Sequence, residues 1–204
     1  MTAASPRIAA VVLAAGRSSR MGHFKLLAEI AGRPMLRHVV DAALASSARP
    51  VVVVTGNEAD RVAQALQDLD VHLVHNQDFA AGLSTSLKAG IGALSPDIDA
   101  AIILLGDMPR IAGTHIAALI GAFAPGAIVV PVRQGQRGNP VLWPRDFFPQ
   151  LLSLSGDQGA RRLLVDLAAR VREVEMPDDA IFQDIDTPEA LALLQAQAPK
   201  TPRG

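Results

Sequence analysis

The sequence has no cysteine, few aromatic residues and almost no net charge. Without cysteine, disulfides, thiolate metal sites and a cysteine nucleophile are excluded. Aromatic residues make up 3% of the chain and hydrophobic residues 50%, so the core has to be built from Ala, Val, Leu and Ile. The formal net charge of −1, from 19 basic and 20 acidic residues, gives no field that attracts nucleic acid or an anionic membrane. Any anion must therefore be captured by a local site.

Long hydrophobic runs and targeting signals are also absent. The N-terminus lacks a basic segment followed by an apolar core, and no run approaches the roughly 18 to 20 residues of a membrane-spanning helix. We therefore expect a soluble cytoplasmic protein. The 204 residues are enough for one domain with a continuous core. We expect residues 1–197 to form that domain and residues 198–204 to be a frayed tail.

Short apolar runs alternate along the chain with longer segments of helical period. The runs are near-continuously apolar, as in strands of a sheet that is covered on both faces. They are Ile8–Ala14, Pro50–Gly56, Val71–Asn76, Ala100–Asp107 and Ala127–Val132. The segments between them have apolar residues at steps of three and four, and Pro34 opens the first of these predicted helices. This order predicts an α/β fold with a doubly wound, mainly parallel, Rossmann-like sheet.

After Val132 the pattern changes. The segment "RQGQRGNPVLWP" has two glycines and two prolines, which indicates a hairpin or an excursion rather than another helical crossover. The segments that follow predict a loop entering a helix ("GDQGARRLLVDLA"), one more strand ("RVREVEM") and a final helix ("DIDTPEALALLQ"). Thr187, directly before Pro188, is the expected cap of that helix. The second half therefore adds a further β wall to the sheet.

Three polar segments follow strands of the predicted sheet. The stretch "LAAGRSSRMGHFK" follows the first strand, Asn76 ends the third, and Gly106 and Asp107 end the fourth. In such folds ligands bind beyond the carboxyl ends of the strands. We therefore expect these segments to lie close together at one edge of the sheet.

The stretch after the first strand can hold a polyphosphate. Its small residues allow close approach of backbone N–H groups, its serines add hydroxyl donors, and its basic residues add positive charge. These residues are Ala14, Ala15, Gly16, Ser18, Ser19, Arg20 and Lys25. The spacing does not match a Walker A loop or G-x-G-x-x-G. An ordinary polar loop between a strand and a helix is the alternative.

Six segments, in order, resemble the MobA-like nucleotidyltransferases, and specifically the subgroup that makes the cytidine dinucleotide form of the molybdenum cofactor. They are "LAAGRSSRMGHFKLL", "GLSTSLKAGI", "GDMP", "RGNPVLWP", "GDQGAR" and "DIDTPE". The sequence departs from the family at Phe24 and Gln77, where the family often has proline. Both positions flank the presumed contacts, so they bear on loop geometry more than on chemistry.

The resemblance implies a cytidylyl transfer from CTP to the terminal phosphate of molybdopterin, with release of pyrophosphate and with Mg²⁺ as cofactor. Lys25 and Arg20 would stabilise charge on the triphosphate and the leaving pyrophosphate. Asp107 would coordinate Mg²⁺ together with Asp186, with Asp184 in reserve. The alternative is that Asp107 and Asp186 only cap their loop and helix. The triphosphate would bind to the segment Leu13, Ala14, Ala15, Gly16, Arg17, Ser18 and Ser19.

The resemblance also suggests how base and acceptor are bound. Asn76 would pair with the pyrimidine edge, beside the helix start at Gly82, Ser84 and Ser86, although Ser84 could be an N-cap without a ligand. "LAAG" accompanies cytosine use in the family, and the Ala15 methyl would exclude the larger purine. The acceptor would contact Arg137, Gly138, Asn139, Pro140, Asp157 and Arg161, with Arg137 as a merely exposed cation the alternative. A recipient molybdoenzyme or its maturation chaperone would be the protein partner.

Two other functions stay open at this point. One is nucleotidyl transfer to a different acceptor, such as a sugar or alcohol phosphate. The other is a non-catalytic carrier that binds the finished dinucleotide cofactor and delivers it to an apoenzyme. A nucleotide-dependent oxidoreductase is disfavoured, because the dinucleotide fingerprint and its downstream acid are missing.

Overall fold

The fold is built on one twisted sheet. The structure is a computed structural model and describes residues 5–16, 24–156 and 160–197. Its strands are β1 (Ile8–Ala14), β2 (Glu29–Ile30), β3 (Arg33–Pro34), β4 (Val51–Thr55), β5 (His72–His75), β6 (Ala100–Leu105), β7 (Ile128–Arg133), β8 (Gln136–Arg137), β9 (Val141–Pro144) and β10 (Val171–Glu175). Its α-helices are α1 (Met35–Leu44), α2 (Ala59–Ala65), α3 (Leu83–Gly92), α4 (Gly113–Gly121), α5 (Phe148–Ser153), α6 (Arg161–Asp166) and α7 (Pro188–Gln197).

The main sheet has the order β10-β7-β9-β6-β1-β4-β5, and β8 pairs with β7. The neighbours β6, β1, β4 and β5 are parallel, as are β7 and β10. Strand β9 is inserted between β6 and β7 and is antiparallel to both. The predicted α/β fold with a doubly wound, mainly parallel sheet is therefore confirmed.

The central strands are buried because helices cover both faces of the sheet. All seven residues of β1 are buried, and they alternate between the two halves of the core. Residues of α1, α2, α4 and α7 belong to one half, and residues of α3, α5 and α6 to the other. Strands β5 and β10 lie at the edges and are mostly exposed, so the expectation of two covered faces fails for β5.

The segment after β7 forms both a hairpin and an excursion. Gln134 and Gly135 have φ values of 51° and 78° and connect β7 to β8, as in a two-residue hairpin turn. The chain then leaves the hairpin and enters the middle of the sheet as β9. The predicted β wall is therefore partly an additional central strand, and it brings residues 136–139 towards the edge at which the site lies.

Candidate active site

Lys25 lies between two carboxylates at the carboxyl edge of the sheet. Its Nζ donates to Asp107 Oδ2 at 2.8 Å and to Asp186 Oδ1 at 2.6 Å. The side chains of Lys25, Asp107 and Asp186 are 12%, 21% and 43% exposed. Charge-assisted hydrogen bonds of this length are strong when they are sheltered from water. Three residues separated by up to 161 positions in sequence therefore form one charged cluster.

Neighbouring backbone contacts hold the two aspartates of this cluster in place. Asp107 directly follows β6 and Gly106, whose N–H donates to Leu13 O at 3.0 Å at the end of β1. The N–H of Ile185, next to Asp186, donates to Asp107 O at 2.9 Å. Thr187 Oγ1 accepts from Ala190 N at 3.2 Å, so Thr187 caps α7 as predicted. The cap belongs to Thr187, and the Asp186 carboxylate is therefore directed to Lys25.

The charges of the cluster change the pKa of two of its groups. Burial alone would lower the pKa of Lys25, but the charges and hydrogen bonds of Asp107 and Asp186 outweigh it and raise this pKa. Partial desolvation raises the pKa of Asp184, and the negative charges of Asp186 and Asp107 raise it further. Lys25 is therefore a cation at neutral pH, and Asp184 lies in a negative environment.

Asp107 and Asp186 fit a hard divalent cation. Within residues 5–16, 24–156 and 160–197, Asp107 Oδ1 is the one buried side-chain polar atom without a hydrogen-bond partner. Such an atom gains from a cation, because an unpartnered buried carboxylate oxygen is costly. No group of three or more His, Asp or Glu residues is arranged as a metal site in the same part of the chain. Mg²⁺ commonly binds one or two carboxylates together with phosphate oxygens.

The structure describes the start of the predicted phosphate-binding stretch, up to Gly16. Arg17, Ser18, Ser19 and Arg20 lie outside the described residues. Leu13, Ala14 and Ala15 are buried, and Gly16 is exposed. A Cβ on Gly16 would meet no described atom within 4 Å, so nothing in that part of the protein requires glycine there. Glycine at this position leaves room for a ligand to approach the backbone.

The position of Ala15 does not match the predicted contact with the base. The residue is 3% exposed, and its methyl carbon lies 2.8 Å from the place that a Cβ on Gly56 would take. The methyl therefore packs into the protein next to Gly56 and Phe79. Ala15 can influence the base through the backbone of the loop, but its methyl does not face an open site.

Asn76 is also engaged inside the protein rather than with a ligand. Its Nδ2 donates to Thr85 Oγ1 at 2.9 Å and to Ser86 Oγ at 3.0 Å, which uses both amide hydrogens. Its Oδ1 accepts from Asp78 N at 3.0 Å, and the residue is 5% exposed. Contrary to the predicted pairing with a pyrimidine edge, this side chain fastens the loop after β5 to α3.

The start of α3 differs in detail from the prediction. Gly82 is the N-cap, with φ 110°, and Ser84 lies inside the first turn, so Ser84 is not the N-cap. The N–H groups of Ser84 and Thr85 donate to Gly156 O and Gly82 O, both at 3.2 Å. These two N–H groups are therefore not free to bind a ligand, whereas the prediction required free N–H groups at this helix start. Ser84 and Ser86 are both buried.

The predicted acceptor residues surround a cavity of about 580 Å³. Arg137, Gly138, Asn139 and Arg161 line it, while Pro140 is buried behind it and Asp157 lies outside the described residues. Arg137 is exposed, and its Nε donates to Glu173 Oε1 at 2.7 Å. Within the described part of the chain, the Arg161 guanidinium has no ion-pair or hydrogen-bond partner.

Gly138 is required by a close approach of two segments. A Cβ at this position would lie 2.5 Å from Ile181 O, the atom that accepts a hydrogen bond from Asn139 N at 3.0 Å. Ile181 lies in a short 3-10 helix (Asp179–Phe182) that directly precedes the segment with Asp184 and Asp186. The segment with Gly138 and Asn139, which is predicted to bind the acceptor, is therefore packed against the segment that carries Asp186.

The apolar wall of the cavity was missed by sequence reasoning. It includes Leu13, Leu83, Leu87, Ile103, Leu105, Val141, Trp143, Leu164 and Val165, and Gln136 is a further polar residue at the cavity that was not predicted. These apolar residues occupy regular positions of strands and helices, so their residue types look like ordinary core. No signal in the sequence separates a cavity wall from the core behind it.

The chain belongs to the MobA-like NTP transferase domain family, which matches residues 10–171. The resemblance found in the sequence is therefore confirmed. The chain is therefore a nucleotidyltransferase of the MobA-like family.

Relatives with different names match most of this chain. Purine catabolism protein PucB of Bacillus subtilis (strain 168) is 34% identical over 196 residues, which are 91% of this chain and 94% of that protein. Nicotine blue oxidoreductase of Paenarthrobacter nicotinovorans is 28% identical over 195 residues, 91% of this chain and 95% of that protein. Molybdenum cofactor cytidylyltransferase of Escherichia coli (strain K12) is 28% identical over 180 residues, 88% of this chain and 91% of that protein.

A solved structure shares the fold over nearly the full length. Rv0371C of Mycobacterium tuberculosis H37Rv in complex with manganese is 26% identical, with a TM-score of 0.82 over 94% of this chain and 100% of that chain. In the described part of our chain, no helix is long and apolar enough to cross a membrane.

Proposed function

We propose that the protein transfers a cytidylyl group from CTP to the terminal phosphate of molybdopterin and releases pyrophosphate. The observation that carries this proposal is the cluster of Lys25, Asp107 and Asp186 at the carboxyl edge of the sheet, next to the cavity with Arg137 and Arg161. Membership of the family and similarity to the molybdenum cofactor cytidylyltransferase of E. coli support it.

The reaction is a single displacement at phosphorus. An oxygen of the acceptor's terminal phosphate attacks the α-phosphorus of CTP and forms a new P–O bond. The bond between the α-phosphorus and the oxygen that bridges to the β-phosphate breaks, and pyrophosphate leaves with that oxygen. Because no covalent enzyme intermediate is needed, the protein has to supply position and charge rather than a nucleophile.

Asp107 and Asp186 are the residues that would hold the divalent cation. The unpartnered Asp107 Oδ1 supports this role, and Rv0371C of Mycobacterium tuberculosis, a relative of known structure, forms a complex with manganese. We propose Mg²⁺ as the cation for this chain. When bound, it would neutralise negative charge on the phosphates of the nucleotide.

Lys25 would donate to the phosphates of CTP. Its ammonium is charged at neutral pH, since the neighbouring carboxylates raise its pKa. A point charge with three donors can follow the leaving pyrophosphate as negative charge develops on it. Gly16 would allow the triphosphate to approach the backbone, and Arg20, four residues further along the sequence, would add a second cation.

Arg161 and Asn139 are our candidates for the acceptor. Both line the cavity, and in the part of the chain that the structure describes neither side chain has a hydrogen-bond partner. The guanidinium of Arg161 can bind a terminal phosphate through two parallel hydrogen bonds. Asn139 can bind polar groups of a pterin ring, and the apolar wall can cover the ring's face.

Pyrophosphate release from CTP, measured with and without molybdopterin, tests this function. A transferase releases pyrophosphate only when the acceptor is present and forms one cytidylylated product per pyrophosphate. A carrier of the finished cofactor would bind the dinucleotide and release none. Release with a sugar phosphate or an alcohol phosphate, but not with molybdopterin, would keep nucleotidyl transfer and replace the acceptor.

A further inference from the structure

The Lys25 ammonium and a divalent cation compete for the same two carboxylates. Nζ lies 2.8 Å from Asp107 Oδ2 and 2.6 Å from Asp186 Oδ1. A Mg²⁺ ion bound to these carboxylates would stand about 2.0–2.1 Å from their oxygens. An ammonium at its present distance from the same carboxylates would be strongly repelled by that ion, because two positive groups so close together are costly outside bulk water.

We propose that Lys25 and the divalent cation exchange places at Asp107 and Asp186. Lys25 holds the two carboxylates until the cation binds, and its ammonium then moves to the phosphates of the nucleotide. The inference rests on the proposed function for the role of the cation. It adds that nucleotide and cation bind cooperatively through the displacement of one lysine side chain.

The backbone around Lys25 is suited to such an exchange. Phe24 and Leu26 are buried on either side of it, and Ala28 N donates to Lys25 O at 3.0 Å in the short helix that starts at Lys25. The main chain is therefore anchored, whereas the side chain has four carbons that can rotate. The ammonium can change partners without any change in the fold.

The charge balance sets the direction of the cooperativity. Lys25, Asp107 and Asp186 together carry one net negative charge, so a cation that approaches them meets a largely neutralised pair. A triphosphate that attracts the ammonium exposes both carboxylates and raises their affinity for the cation. By linkage, the cation must raise the affinity for the triphosphate by the same factor.

Selective labelling of lysine tests the exchange in the unaltered protein. The chain has three lysines, Lys25, Lys88 and Lys200, so peptide mass spectrometry can follow each one. We expect saturating Mg²⁺, at constant ionic strength and without nucleotide, to raise the rate at which acetic anhydride acetylates Lys25 at least about threefold. The reason is that the Lys25 amine no longer pairs with the two carboxylates once the cation holds them. Lys88 on α3 is the internal control. An unchanged or lower ratio of Lys25 to Lys88 labelling would overturn the exchange.

Calorimetric titration with Mn²⁺ in the absence of nucleotide tests the same competition by affinity. We expect Lys25→Met to bind Mn²⁺ at least about tenfold more tightly than the unaltered protein. Lys25→Arg keeps the charge and should bind as weakly as the unaltered protein, and Lys88→Met is the matched loss of a lysine elsewhere. Equal or weaker binding by a folded Lys25→Met protein would refute the exchange, while pyrophosphate release by the unaltered enzyme tests the transfer separately.

Discussion

At the scale of single residues, the position of Asp107 allows its carboxylate to be replaced while the fold is retained. Its carboxylate lies after β6 at the rim of the sheet, and Oδ1 has no partner among the described residues. We expect Asp107→Asn to reduce turnover at least about a hundredfold, because charge stabilisation by the cation is lost. We expect the fold to be retained, because Lys25 keeps its hydrogen bond to Asp186, and the unfolding free energy to fall by about 1–3 kcal/mol with the loss of the charge-assisted bond to Asp107.

Steady-state kinetics and thermal unfolding followed by circular dichroism check both parts of this prediction. Asp68→Asn is a suitable control, because it removes a carboxylate that pairs with Arg37 at the surface, away from the site. Its activity should equal that of the unaltered protein. Near-normal turnover of a folded Asp107→Asn protein would remove Asp107 from the mechanism.

Substitution by asparagine should preserve activity at Asp184 and abolish it at Asp186. The folded-state pKa of Asp184 is raised, so its ionisation costs stability at neutral pH, and this cost disappears as the pH falls through that pKa. Asp184→Asn should therefore raise the Tm at pH 7 by about 2 °C and keep most of the activity, with the gain in Tm shrinking towards about pH 4. Asp186→Asn should abolish activity.

Calorimetric unfolding over this pH range, together with turnover assays of both variants, provides the measurement. A loss of activity in Asp184→Asn with full activity in Asp186→Asn would exchange their roles. A Tm of Asp184→Asn below that of the unaltered protein at pH 7 would show that the ionised Asp184 carboxylate does not destabilise the folded protein.

At the scale of elements, the contact between α3 and β1 depends on glycine at one position. A Cβ on Gly90 would lie 2.4 Å from Val11 Cγ1 and 3.0 Å from Val54 Cγ2, in the core. We expect Gly90→Ala to cost about 1–3 kcal/mol, because the helix or the strands must move to admit the methyl group. Gly92→Ala in the same helix meets nothing within 4 Å and should be neutral or stabilising by up to about 1 kcal/mol.

Urea unfolding of the two variants measures this difference directly. The pair shares one helix and one type of substitution, so helix propensity favours alanine in both and only the packing differs. Equal stability of Gly90→Ala and Gly92→Ala would mean that α3 is free to shift on the sheet. The same result would weaken the view that Asn76, which joins the loop after β5 to this helix, is part of a rigid support.

Most elements were predictable from sequence because their hydrophobic period reflects burial directly. Strand β1 was predicted at its observed bounds, since every residue in it is buried. Helix α5 was missed because its six residues are too few to show a period. The insertion of β9 between β6 and β7 was also not foreseen, since an apolar run does not state which strands it will pair with.

The site was predictable to the extent that strand ends and charges define it. The carboxyl-edge rule brought Lys25 and Asp107 together correctly, and the segment "DIDTPE" supplied Asp186. The orientations of the Asn76 and Ala15 side chains could not be predicted in the same way. An amide or a methyl next to a site faces the ligand or the protein according to local packing, and the sequence contains no measure of that orientation.

At the scale of the whole molecule, the sheet connects the charged cluster and the acceptor cavity. Strands β1 and β6 end at the cluster, whereas β8 and the segment before β9 line the cavity with Arg137 and Asn139. The contact of Gly138 with Ile181 joins the two regions through the loop that carries Asp186. The arrangement suits a reaction in which the nucleotide and the acceptor bind at one edge of the sheet. A nucleotidyl group can then pass from the nucleotide to the acceptor.

The most direct test supplies equal CTP and GTP, Mg²⁺ and limiting molybdopterin to the purified protein and identifies the products by mass spectrometry. We predict a cytidylylated molybdopterin, one pyrophosphate per product, and a preference for CTP of at least about tenfold in kcat/KM, or roughly 1.4 kcal/mol. Asp107→Asn should form no product under the same conditions. Equal use of both nucleotides or a preference for GTP would contradict the choice of CTP. If the unaltered protein forms no nucleotidylated product and no pyrophosphate, the proposed reaction itself is contradicted.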